Sequence, residues 1–252
     1  MSAPAPIVAR LALETVGANA FEGRNPPGEQ HVFGGLVVGQ ALRAAQATVA
    51  DAARKPHSLH ASFLRAGRTA LAIRYDVEST RDGGAFSTRR VVASQADEPI
   101  LVLTASFHPG EPGPAYETPP LPGPVPAPDG LAPGRYDGAA FDCRDVPVEP
   151  GADAPPHVRR MWLRARGQLP DDPDLHRWAL AYASDHGPTR AVREPHADHP
   201  GVEQRHSVSL DHSVWFHGFE RVDNWLLSEL WPIATGQSRG LCIGTVRTAA
   251  GR

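Results

Sequence analysis

The chain has 252 residues, enough for one large core or two modest ones. A net charge of -3, a pI near 6.4 and arginines that are scattered rather than gathered give no basis for a nucleic-acid surface. No run approaches the ~18 apolar residues of a membrane span and MSAPAPIVAR lacks an export-signal layout, so a cytoplasmic protein is expected, with Cys143 and Cys242 as buried thiols.

Taken in chain order, the pattern predicts a helix over 34–50, opening on Gly34 and Gly35 within HVFGGLVVGQAL. Strands follow at 58–65, 70–80, 85–95 and 99–107, several with period-two alternation, separated by the turn signals RDGG and ADEP. Residues 108–133 hold ten prolines and few large apolar side chains, which neither a core nor a central strand tolerates. This is a proline-stiffened linker. Beyond it come strands at 140–148 and 157–166, then DDPDLHRWALAYASDHG, whose opening acids and proline favour a helix. Further strands are expected at 206–217, 223–234 and 238–248.

The two halves repeat one another. Ser58 and Ser87 are 29 positions apart, as are Ser209 and Ser238, and SFLRAGR faces SVWFHGFER while STRRVVASQ faces SRGLCIGTV. After ADEP the first half has one more strand, ILVLTASF, where the second half reaches TAAGR and ends. The expected organisation is therefore a unit over 1–108, a linker over 109–134 and a second unit over 135–252 without its last strand. A long helix followed by antiparallel strands suggests an α+β fold in which a curved sheet wraps a helix, twice in one chain. Two such sheets could pair edge to edge and each lose an open edge. Two ordinary α+β domains are the alternative.

The double glycine does not make a phosphate cradle. A Walker loop needs a lysine after its glycines, which GGLVVGQAL lacks, and the spacing is wrong for the dinucleotide fingerprint. A helix starting at Gly34–Gly35 would still turn open N–H groups toward negative charge, with close approach allowed by the absent side chains. Gly39, one turn on, would let the sheet approach the helix. Gln40 is either hydrogen-bonded core or cavity lining.

Together, HVFGGLVVGQAL, PHSLHASFLRAG, DVESTRDGGAFSTRRVVA, LTASFH, LHRWALAYASDHG and LDHSVWFH, in this order, resemble the type II acyl-CoA thioesterases, the double-hotdog family. The resemblance runs from about residue 10 to the C-terminus. It implies two antiparallel sheets each wrapped around a central helix, association between chains into homo-oligomers, and hydrolysis of acyl-CoA to CoA and fatty acid with no cofactor, metal or covalent intermediate. It implies Asp185, in YASD, as the active carboxylate and Ser209, two before Asp211, in place of the family's threonine. The family's third polar group is a glutamine on the last strand of the second half, for which this chain offers no residue. Gly34, Gly35 and Gln40 are oxyanion or pocket candidates. A non-catalytic acyl-CoA binding or scaffold protein is the alternative function.

Other constellations are weaker. Asp211 and His212 are strand neighbours that face opposite ways, so neither orients the other. His57 and His60 also face opposite sides, and His196, His199 and His206 lie in a proline-bounded loop, so no metal site is expected. Arg65, Arg68, Arg89 and Arg90 are the basic residues at hand for the phosphates of CoA. Leu36, Val37, Trp178, Leu180 and Trp215 could line an acyl tunnel or form plain core.

Overall fold

The structure is a computed structural model, and it describes residues 5–26, 32–116, 125–136, 138–147, 157–202 and 206–249. In chain order the elements are α1 (Pro6–Arg10), β1 (Leu13–Gly17), β2 (Ala20–Gly23), α2 (Gly34–Ala47), β3 (Lys55–Phe63), β4 (Ile73–Asp82), β5 (Ser87–Gln95) and β6 (Glu98–His108). The second half supplies β7 (Phe141–Val146), β8 (Arg159–Ala165), α3 (Pro173–Ala183), α4 (Pro188–Arg193), β9 (Asp211–Trp215), β10 (Leu226–Gly236) and β11 (Arg239–Thr248). Two antiparallel sheets with their helices make the expected double-hotdog fold. The compact units are Met1–Pro114 with Leu169–Asp185 and Ser209–Arg221, and Ala115–Gln168 with His186–Val208 and Val222–Arg252.

In the first unit the sheet runs β1-β2-β4-β5-β6-β3-β9, antiparallel throughout. Alternation decides which face is buried. Along β5, Ser87, Arg89, Val91, Ala93 and Gln95 point inward, and the core joins Val91 and Ala93 to Val38, Leu42 and Ala45 of α2 and to Leu59, Leu101 and Leu103. The predicted helix ends earlier than residue 50. Thr48 caps it, its Oγ1 donating to the Ala45 carbonyl at 2.8 Å. The inward Arg89 is 1 % exposed and is held by Asp82 at 2.9 Å and by Thr48 Oγ1 at 2.8 Å. A guanidinium so enclosed is structural, which removes Arg89 from the residues at hand for phosphate.

α3, although it comes from the second half of the chain, packs beside α2 in the first unit. Gly39 makes this possible, and the element it admits is a helix rather than the expected sheet. A Cβ there would lie 2.8 Å from Leu11 Cδ2 and 3.1 Å from the Trp178 carbonyl oxygen, and one at Gly35 would overlap the Tyr182 carbonyl. The N-terminus of α3 is capped by Asp172, whose carboxylate accepts from the Asp174 N–H, with Pro173 in the first turn.

β3 and β9, which occupy matching places in the repeat, pair antiparallel about His60 and Ser213. Strand β9 is shorter than the expected 206–217. The residues before it are held differently, the Leu210 carbonyl accepting from the Phe63 N–H at 2.9 Å.

The second unit carries the order β11-β10-β8-β7, with α4 against β10 and β11. Part of the proline-rich segment belongs to this unit: Val125 and Leu131 pack on Val146, Trp162 and Leu227, and Trp162 Nε1 donates to the Pro126 carbonyl at 2.8 Å. Among the described residues no strand follows β11. Cys143 is buried and Cys242 is half-buried, a correction to the expectation of two buried thiols, because the outer part of β10 is exposed and no residue of β11 is fully buried. Even so, burial pushes the Cys242 thiol up to about 11.

Candidate functional site

All the groups at the candidate site lie in the first unit. Asp185 follows the C-terminus of α3, directly after Ser184, whose N–H closes the helix on the Leu180 carbonyl at 2.9 Å. Its carboxylate rests on the N-terminus of α2. A Cβ on Gly34 would sit 2.6 Å from Asp185 Oδ2 and 3.0 Å from the Phe63 ring, so any side chain here would push the acid from its place. The Gly35 N–H donates to the carboxylate.

α2 is well suited to such a neighbour. Its N-cap Phe33 makes no side-chain cap bond and its first turn has no acid. The N–H groups of Leu36 and Val37 already go to the Phe33 carbonyl, which leaves those of Gly34 and Gly35 at the open end of the helix dipole.

Ser209 completes the arrangement. Its hydroxyl donates to Asp185 Oδ1 at 3.3 Å, long for a hydroxyl on a carboxylate. Burial pushes the Asp185 carboxyl up to about 6, against the lowering by the Ser209 hydroxyl and the Gly35 N–H. A carboxylate with that environment is basic enough to take a proton from water near neutral pH.

The structure thus brings four expected residues together: Asp185, Ser209, Gly34 and Gly35. Gln40 is not among them. It is 0 % exposed and its amide is spent in the core, accepting from the Tyr75 hydroxyl at 2.7 Å and donating to the Arg10 carbonyl at 2.6 Å. A primary amide in an apolar helix must satisfy itself, and Gly23 leaves the room in which it does so.

Leu36 and Val37 are core, whereas Trp215 is 58 % exposed and stacks edge-on against His60 on the outer face of the sheet. His57 bonds to Ser106 and His60 to Ser213, and no metal-ligating cluster occurs among the described residues. No described helix is long and apolar enough to cross a membrane.

One pair at the site was missed from sequence. His212 Nε2 lies 2.8 Å from Ser184 Oγ. The alternation of β9, with Asp211, Ser213 and Trp215 outward and His212 and Val214 less exposed, signals which way the histidine turns but not what it meets.

Comparison with known proteins decides the family. A family profile described as "Acyl-CoA thioesterase N-terminal domain" matches residues 21–108, and one described as "Acyl-CoA thioesterase" matches residues 146–248. Human "Acyl-coenzyme A thioesterase 8" is 36% identical over 263 residues, covering 93% of this chain and 81% of that protein. The chain belongs to the acyl-CoA thioesterase family.

"Acyl-CoA thioesterase 2" of Haemophilus influenzae is 30% identical, with 96% of this chain and 91% of that protein aligned. Among solved structures, the acyl-CoA thioesterase II TesB2 from Mycobacterium marinum superposes with a TM-score of 0.84 at 37% identity, covering 97% of this chain and 93% of that one. Membership in the type II acyl-CoA thioesterases supports thioester hydrolase activity and acyl-CoA as the class of ligand.

Proposed function

We propose that the chain hydrolyses acyl-CoA thioesters by direct attack of a water that Asp185 orients and deprotonates, with no acyl-enzyme. The observation that carries this reading is the Asp185 carboxylate set between the glycine N-terminus of α2 and the Ser209 hydroxyl. A thioester carbonyl is less resonance-stabilised than that of an ester, so a positioned water and a base are sufficient attackers. Asp185 takes one proton of the water as its oxygen bonds to the carbonyl carbon. Ser209 holds the carboxylate, so attack starts from an aligned pose. The Gly35 N–H is already engaged by Asp185, so the Gly34 N–H and the positive end of α2 are assigned to the developing oxyanion. On collapse the C–S bond breaks and the leaving CoA sulfur takes the proton back from Asp185, giving free CoA and a carboxylic acid. The same reading includes a cytoplasmic setting and association of chains.

The test is release of CoA from a short, a medium and a long acyl-CoA by the chain and by Asp185→Ala. Release by the native protein that falls at least about a hundredfold in the variant supports the proposal. Equal release by both overturns the role of Asp185. Binding of acyl-CoA without release by either favours a non-catalytic binding protein instead.

A further inference from the structure

We infer that Ser184 and His212 form a tie that holds the two segments carrying Asp185 and Ser209 in register, making His212 a positioning residue of the thioester-hydrolysing site. The inference rests on the catalytic reading of Asp185 given above and adds residues that this reading does not use. Ser184 is the last residue before Asp185, and His212 lies three residues after Ser209 on β9. Their side chains meet at 2.8 Å. All four residues belong to the first unit.

The hydrogen-bond directions separate a tie from a nucleophile–base pair. The Ser184 hydroxyl has one proton, and it goes to the Ala181 carbonyl at 3.0 Å. Toward His212 the oxygen therefore accepts, which places a proton on Nε2 and leaves that nitrogen unable to take one from Ser184. Burial holds the His212 pKa below the ordinary histidine value, with a smaller opposing effect of Asp211, in keeping with a neutral ring. The bond joins the C-terminal turn of α3 to β9. β9 is itself fixed to β3 through the His212–Ala61 pair, and the segment before it through the bond from Phe63 to Leu210. The tie gives the 3.3 Å contact between Ser209 and Asp185 a second link between the same two segments, at the Ser184 end. Loss of alignment at a reacting centre lowers turnover rather than affinity.

The experiment measures kcat and KM for acyl-CoA hydrolysis in the full chain and in H212A, H212Q, S184A and the H212A/S184A double variant, with D185N beside them. Glutamine can still donate to Ser184 but is no base. The tie predicts that H212A and S184A each lose about ten- to a hundredfold in kcat with KM nearly unchanged. It also predicts that H212Q recovers most of the loss and that the double variant is no worse than the poorer single. Full kcat in S184A, or losses that multiply in the double variant, would overturn it. So would a loss in H212A that H212Q leaves untouched, since a histidine needed as a base gives that result. Should H212A fail to fold, S184A and H212Q carry the decision. An active D185N would instead defeat the catalytic reading itself, a result distinct from all of these.

Discussion

At the scale of single residues, Asp185 is caught between opposing demands. Burial favours its neutral form and two donors favour the charged one; burial wins, and the carboxyl rises to about 6. A folded-state pKa above the unfolded value means that folding favours the protonated acid. The stabilisation this brings is full below the unfolded pKa near ~3.9, and it is lost as pH rises through about 6. Asp185→Asn, a neutral side chain of the same shape, is therefore expected to melt higher than the native protein at pH 8, by about 2 kcal/mol in stability, and to match it at pH 4. Thermal melts at the two pH values check this. Ser209 supplies a second expectation. Ser209→Thr keeps the hydroxyl and gains a methyl that restrains its rotamer, so its turnover should equal or exceed the native value. Ser209→Ala should lose about tenfold, read from initial rates. Both residues could be named from the sequence because RDGGAFSTRR, YASD and DHSVWFH, weak singly and specific in combination, carry the family resemblance that points to Asp185 and to Ser209, just before DHSVWFH. The Ser184–His212 contact was not legible, because nothing in local spacing says that positions 28 apart meet.

At the scale of elements, the approach of α2 to α3 depends on glycine. Gly35→Ala should lose about 2 kcal/mol or more, measured by denaturant unfolding, because its methyl would meet the Tyr182 backbone carbonyl and not a side chain that could swing away. The small helix-propensity gain of alanine does not offset that overlap. Gln40→Leu should cost about 1–3 kcal/mol by the same measurement, since the buried Tyr75 hydroxyl loses its acceptor. Adding Tyr75→Phe should return part of the loss. The helix start at Gly34 could be read from the chain, and so could the two possible fates of Gln40. Choosing between those fates required knowing that Tyr75 of β4 and the Arg10 carbonyl converge on one amide, and strand alternation says only that Tyr75 faces inward.

At the scale of the whole molecule, the repeat and the alternating strands disclosed two sheets, and the matching strands β3 and β9 pair as related edges would. Strand ends were displaced by a few residues where capping and turn geometry decide them, as at Ala96–Asp97 and Gln237–Ser238, both pairs with positive φ as tight hairpin turns require. The placement of α3 beside α2 was not legible. Its apolar stripe declares a buried face but not which surface covers it. In the second unit the Arg160–Glu229 pair is almost wholly buried, at 2.9 Å across neighbouring strands. Glu229→Ala should cost that unit about 3–5 kcal/mol, since a buried guanidinium loses the carboxylate paired with it across the strands.

The central claim is that a buried Asp185 acts as the base in acyl-CoA hydrolysis. The most direct measurement is the pH dependence of kcat/KM for CoA release by the native chain, with H212Q as the control for the nearby histidine. The account predicts activity that falls below an apparent pKa of about 6 on a limb shared by both proteins, and that is lost at every pH in Asp185→Asn. A limb that persists in Asp185→Asn, or one that disappears in H212Q, would contradict it.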